Sequence, residues 1–196
     1  MITVNTRMDA STPEEIFAEI NTRMTGALMF HSQMIDYFAF LGLDGYKQIH
    51  VRQYTDESRE RTDLKQYYIF RHGQILYDGF SGTVEAIPET WKNAKSMSVG
   101  KGTKQKAVED GFLMYREWES KTKEIYEHYA HALRDGEHII DALEVERLAA
   151  DVADELDMID HIMLDLISTG YDMTYIVESQ TDLCKSRKEG KHGKHC

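Results

Sequence analysis

From Phe17 to Phe38, Phe17, Ile20, Met24, Leu28, His31, Ile35 and Phe38 recur at three- and four-residue steps, the period of one face of an α-helix. Thr12-Pro13-Glu14-Glu15 places a capping hydroxyl, a proline at the first helical position and a glutamate at the third, a helix-start signature. Leu41-Gly42 and Gly45 supply the stop and the turn. The resulting helix, residues 13 to 41, is about thirty residues long, well above the usual length. So long an element buries its stripe only against partners of similar length, and the chain contains three.

The second predicted helix begins near Asp44 to Tyr46 and runs through Ile49, His50, Tyr54, Glu57, Arg61, Leu64 and Tyr68 to Arg71-His72-Gly73. The link from the first is a few residues, so the two are expected to pack antiparallel. Residues 73 to 102 hold five glycines and Pro88, with a short helical stretch around Glu89 to Met97. A connection this long lets the second and third helices of a bundle run parallel. The third helix is predicted over 104–133, with Phe112, Tyr115, Trp118, Ile125 and Tyr129 as its apolar contribution, closed by Arg134-Asp135-Gly136. The fourth is predicted over 137–168, with Ile140, Leu143, Leu148, Val152, Leu156, Ile159, Met163 and Leu166 as its stripe. A short further helix falls within 171–183. The domain reading is an extension over 1–12, one four-helix bundle over 13–168, and a short helix with a basic tail over 169–196.

Composition removes several classes. With 41% hydrophobic residues, 10 methionines and only two prolines, the chain reads as one globular helical domain. No apolar run reaches the ~18 residues of a membrane span, and the amino terminus carries no secretory pattern. Cys184 and Cys196 both lie in the tail, where they cannot staple a core, which fits a cytoplasmic protein. The net charge is −11. The segment KSRKEGKHGKHC carries +4 of its own, which leaves an acidic body that repels nucleic acid. Only this tail, residues 185–196, is suited to a phosphate backbone, and a solvated end is its simpler reading.

The informative residues interrupt the apolar stripes. His31 lies between Leu28 and Ile35; His50 and Glu57 lie one turn either side of Tyr54, and Glu60 follows a turn later. Asp151 and Glu155 flank the fourth stripe, and Glu124, Glu127, His128 and His131 cluster at helical spacing on the third. An unpaired carboxylate is costly to bury. Its partner must be a metal ion or a buried basic group, and Arg61, one turn after Glu57, offers a salt bridge instead. Acids from two helices with Glu and His from the others compose the dinuclear site of carboxylate-bridged bundles. Oxygen donors with one or two imidazoles suit iron or manganese, with zinc as a substitute.

The stretch Asp56-Glu57-Ser58-Arg59-Glu60-Arg61-Thr62-Asp63-Leu64, continuing to Tyr68-Ile69-Phe70-Arg71-His72-Gly73, resembles the second helix of the ferritin superfamily. Helix order, the short first hairpin, the long crossover and the Arg134-Asp135-Gly136 turn are similar to that plan over residues 13 to 168. The resemblance implies an all-α, ferritin-like bundle with two metal ions, most naturally iron. Glu57 matches the bridging glutamate, whereas Glu60 stands where ferritins carry the histidine of Glu-x-x-His. His31 falls near the first-helix ligand or tyrosine position, Glu117 or Glu124 matches the third-helix glutamate, and Asp151 or Glu155 the fourth-helix position. His50 is similar to the second histidine of Dps-type ferritins, but Tyr37-Phe38 replaces their His-Trp pair.

Two functions follow as expectations. In the first, His31, His50, Glu57, Glu60, Glu124, His128, Asp151 and Glu155 supply the metal ligands. Glu57 and Glu60 are then the catalytic carboxylates of an oligomeric ferroxidase, iron store or protector against oxidative stress. In the second, the bundle has lost its metals and serves as an oligomeric scaffold, with Phe38, Phe40, Tyr67 and Tyr68 at subunit contacts.

Overall fold

The computed structural model describes residues 3–4, 6–79, 82–83 and 100–180. Four long helices form the body: α1 (Pro13–Leu41), α2 (Asp44–His72), α3 (Lys101–Asp135) and α4 (Ile139–Ser168). A shorter α5 follows over 173–180. Thr3–Val4 (β1) pairs antiparallel with Gly82–Thr83 (β2), the one extended pairing among the described residues. The helical stretch expected within 89–97 and the tail 185–196 lie outside the described residues.

α1 starts as its sequence implies. The Glu15 amide donates to Thr12 Oγ1 and the Thr12 amide donates to Glu15 Oε2, each satisfying an amide that has no partner within the helix. At the other end Gly42 takes a left-handed conformation, φ 70°. The Leu43 amide donates back to the Phe38 carbonyl and the Gly42 amide to that of Ala39, the paired bonds of a Schellman motif. α2 begins two residues later, so α1 and α2 form a tight hairpin. α3 and α4 form a second, joined at Gly136, and inter-helix packing is concentrated within these two hairpins.

The interior holds two apolar clusters stacked along the bundle. One is built around Phe17, Ile20, Leu64, Tyr129, Val145 and Leu148. The other is built around Phe30, Phe38, Tyr46, Phe112, Trp118 and Ile159. The amino-terminal extension is tied down: Ala10 is buried, and Tyr129 Oη donates to the Arg7 carbonyl at 2.8 Å. α5 covers the opposite end, with Ile176 in the core and Gln180 lying over Gly45.

Several expectations change. α3 runs a few residues beyond its expected bounds at each end, and Lys106 pairs with Glu109 and Asp110 on the surface of its first turns. α4 begins at Ile139, and Ile140 and Leu143 face outward while Asp141 is buried. Asp141 accepts from Tyr67 Oη at 2.8 Å and pairs with His72 Nε2 at 3.1 Å, which ties the end of α2 to the start of α4. Tyr54 is exposed, and Gln53 takes the inward position on α2. Phe38 and Tyr68, expected at subunit contacts, are buried within the bundle, and Phe40 and Tyr67 are partly buried against its core.

Candidate functional site

The core face of α1 steps alternately by four and three: Ile16, Ile20, Arg23, Ala27, Phe30, Met34, Tyr37 and Leu41, all buried. Arg23 therefore enters the interior by helical geometry, and it is 3% exposed. Its Nε and Nη2 donate to Thr122 Oγ1 at 3.0 and 2.8 Å, and Nη2 donates to the Trp118 carbonyl at 2.9 Å. The guanidinium carbon lies 3.6 Å from the centre of the Trp118 ring, a cation–π geometry. Phe30 stacks on Trp118 at 5.1 Å, so Phe30, Trp118 and Arg23 interlock.

Two turns further along α1, the buried His31 meets His50 of α2, with the two Nδ1 atoms 3.0 Å apart. Phe38 lies parallel to the His50 ring, and the edges of Phe30 and Tyr115 enclose His31. Burial holds the His31 imidazole down at about 3; burial, and then His31 beside it, lowers His50 well below its ordinary value. Both rings are therefore neutral at physiological pH. One Nδ1–H must donate to the other's lone pair, and if His31 is the donor its Nε2 carries a lone pair. That Nε2 lies 3.7 Å from Glu119 Oε1.

Glu119 of α3 is the residue the sequence reading missed. It is fully buried, and neither of its carboxylate oxygens has a hydrogen-bond partner. His31 Nε2 and Glu155 Oε2 are also buried without one. Glu57 of α2 and Glu155 of α4 complete a group of acids from three helices, each within the electrostatic field of the next. Burial, then the charges of Glu155 and Glu57, raises the Glu119 carboxyl well above the usual range, and Arg23 partly opposes this. Burial followed by Glu155 and Glu60 does the same to Glu57. Burial, then Glu60, Asp56 and Asp151, pushes Glu155 up to about 8. A set of mutually repelling, desolvated acids calls for protons or a cation.

Glu155 also opens outward. With Gln53 and Glu60 it lines a cleft of about 390 Å³ between α2 and α4, whose rim carries Asp56, Asp151 and Arg147. Arg147 Nη1 binds Asp151 at 2.7 Å, so Asp151 belongs to the rim and not the seam. Two expected ligands lie elsewhere. Glu124 is 63% exposed and pairs with Lys121 at 2.8 Å. His128 is exposed and meets the Met8 carbonyl through Nε2 at 2.7 Å. Both sit on the solvated side of α3, and Glu117 is exposed there as well. Arg61, the expected partner of Glu57, instead pairs with Asp78. Among the described residues no three His, Cys, Asp or Glu side chains already stand around a common point at metal-binding distance. The donor types match a metal site, and the orphaned oxygens and nitrogen are those an ion would use.

No family model matches the chain, and no curated protein sequence matches it. Solved structures do. An open-pore ferritin from the hyperthermophilic archaeon Archaeoglobus fulgidus is similar with a TM-score of 0.69 and 15% identity, over 90% of this chain and 96% of that one. An iron-soaked variant of PmFTN is similar with a TM-score of 0.68 and 12% identity, over 86% and 96%. The chain has a ferritin-like fold, and no helix among its described residues is long and apolar enough to cross a membrane.

Proposed function

We propose that this protein binds a transition-metal ion, with iron the first candidate, inside its bundle, and serves in iron storage, iron oxidation or protection from oxidative damage. The observation that carries the reading is Glu119: a fully buried carboxylate with both oxygens unpartnered, 3.7 Å from the equally unpartnered His31 Nε2. Two donors that share an ion at ~2.1 Å from each are separated by a comparable distance. Glu57, Glu119 and Glu155 would supply oxygen and His31 nitrogen. His50 would hold the His31 ring in place through Nδ1, as partners of metal-bound histidines do. A bound iron ion supplies electron exchange with oxygen or peroxide. The chain's own contribution is to gather the donors, keep both imidazoles neutral and exclude water with Phe30, Phe38 and Tyr115. That the similar structures are a ferritin and an iron-soaked variant favours iron.

The test is calorimetric titration of the metal-free protein with Zn(II) and, without oxygen, Fe(II), followed by oxygen consumption on mixing with Fe(II). Binding that disappears in Glu119→Ala and His31→Ala supports the site, and no binding by the unmodified protein rejects it. Loss of iron-dependent oxygen uptake in Glu57→Ala would support the oxidase role.

A second reading, the metal-free oligomeric scaffold, is favoured by one observation: Arg23 already places a cation among the acids. Self-assembly fits either reading. Phe70, Tyr77 and Ile75 are 89, 82 and 67% exposed near one end of the bundle, and such residues suit subunit contacts. Light scattering of the purified protein measures the assembly.

A further inference from the structure

The acids of the seam come from three helices, Glu57 of α2, Glu119 of α3 and Glu155 of α4. At the same level the fourth helix, α1, brings Arg23. The antiparallel pairing of His31 with His50 fixes that level: seven residues along α2 from His50 is Glu57, and eight residues back along α1 from His31 is Arg23. These steps are close to equal along the two axes, at about 1.5 Å per residue. Thr122, the Trp118 carbonyl and the Trp118 ring together hold the Arg23 guanidinium in place. Its charge acts on Glu57 and Glu119 together.

Building on the metal-binding reading above, we propose that the seam takes one divalent ion per chain where a dinuclear bundle takes two, and that the guanidinium of Arg23 is the fixed cation in place of the second. Dinuclear carboxylate bundles draw a carboxylate from every helix of the site. Here α1 offers no buried carboxylate at that level, and the donor it brings to Glu119, His31 Nε2 at 3.7 Å, is an imidazole. Charge agrees. With their protons released to bind an ion, three glutamates and one arginine leave the group at −2, which one divalent ion neutralises and two would overshoot. The unpartnered atoms cluster accordingly, with Glu119 and His31 Nε2 together and Arg23 turned toward Thr122 and Trp118.

The experiment is titration of the full-length, metal-free protein with Zn(II), which involves no redox step, read as equivalents bound per chain and as dissociation constant. The unmodified protein should bind one equivalent in the seam. Arg23→Met removes the competing charge and keeps an apolar stem, so one equivalent should bind at least tenfold more tightly. Arg23→Glu restores a carboxylate on α1 and should bind two. A second equivalent in the unmodified protein that is lost in Glu57→Gln would overturn the inference and leave the metal reading intact. No binding at all would reject the metal reading itself. An Arg23→Met affinity within twofold of the unmodified protein would remove Arg23 from its assigned role. Should Arg23→Glu fail to fold, judged by circular dichroism, the stoichiometry of the unmodified protein and the Arg23→Met affinity still decide.

Discussion

His31 and His50 meet Nδ1 to Nδ1 at 3.0 Å in the buried interior, with the outer nitrogen of His31 turned toward Glu119. Each ring therefore fixes the tautomer of the other. His50→Phe would keep the apolar contacts with Phe30 and Phe38 but free the His31 ring to rotate. We expect the variant to fold with a melting temperature within a few degrees of the parent, and metal affinity to fall by about 10–100-fold. Calorimetry on the same samples measures both.

Glu119→Gln should act oppositely on stability and on binding. It removes a carboxyl that burial forces to hold its proton far above the usual range, so the metal-free protein should gain about 1–3 kcal/mol near neutral pH, seen as a higher urea midpoint. The same substitution should weaken the metal complex at least tenfold. A variant that is destabilised without metal would contradict the unpartnered burial of Glu119.

Arg23→Ala is expected to be among the most damaging substitutions. It strips the acids of their cation and leaves an unfilled volume against Trp118, so a loss of about 3–5 kcal/mol should follow. Phe30→Ala, which removes the ring stacked on Trp118, should cost a similar ~3–5 kcal/mol through the cavity left behind. Chemical denaturation monitored by far-ultraviolet circular dichroism compares the two.

The pH dependence has a definite sign. Glu155, ordinarily near 4.5, titrates at about 8 in the fold, so the stabilising proton it holds is fully present below 4.5 and is lost as pH rises through 8. His31 is held down at about 3, so its contribution is complete above its ordinary 6.5 and declines only below that. Between pH 6.5 and 8 the acids alone set the slope, and the metal-free protein should lose stability with rising pH. Glu155→Gln should flatten this slope, and saturating Zn(II) should reverse it, since deprotonated acids bind the ion better. Melting curves at pH 6.5, 7.2 and 8 are the measurement.

At Gly45 a Cβ would fall inside contact distance of the Gln180 carbonyl and 2.6 Å from its Cβ. Gly45→Ala should therefore push α5 off the end of the first hairpin, at a cost of about 1–3 kcal/mol. Hydrogen exchange should rise over residues 173–180 and stay unchanged in α3.

The helices were legible because their stripes are long and their ends carry strong signals. The Thr12 capping box and Gly42 stop place α1 at the same bounds by sequence and by structure. His31, His50, Glu57 and Glu155 were visible as polar interruptions of apolar stripes. Glu119 was not, because α3 is dense in acids and lysines, and an inward glutamate there looks like its solvated neighbours Glu117 and Glu124. A signal was present all the same: Tyr115, Glu119, Thr122 and Tyr126 step by four, three and four along one buried face. Arg23 escaped for the same reason, since Met24 beside it satisfied the period and arginine is ordinarily a surface residue. Only the ring of Trp118, ninety-five positions away in the chain, shows why a guanidinium belongs there.

The two-residue link between α1 and α2 has a kinetic meaning. Each hairpin closes a short loop and assembles from neighbours in the chain, whereas Arg23, His31, His50 and Glu57 lie on one hairpin and Glu119 and Glu155 on the other. Neither half contains the full donor set. The centre comes into being only when the halves dock, so an ion held there would act as a clasp between two independently nucleated units. Its release would mark their separation while most of the helical structure was still intact.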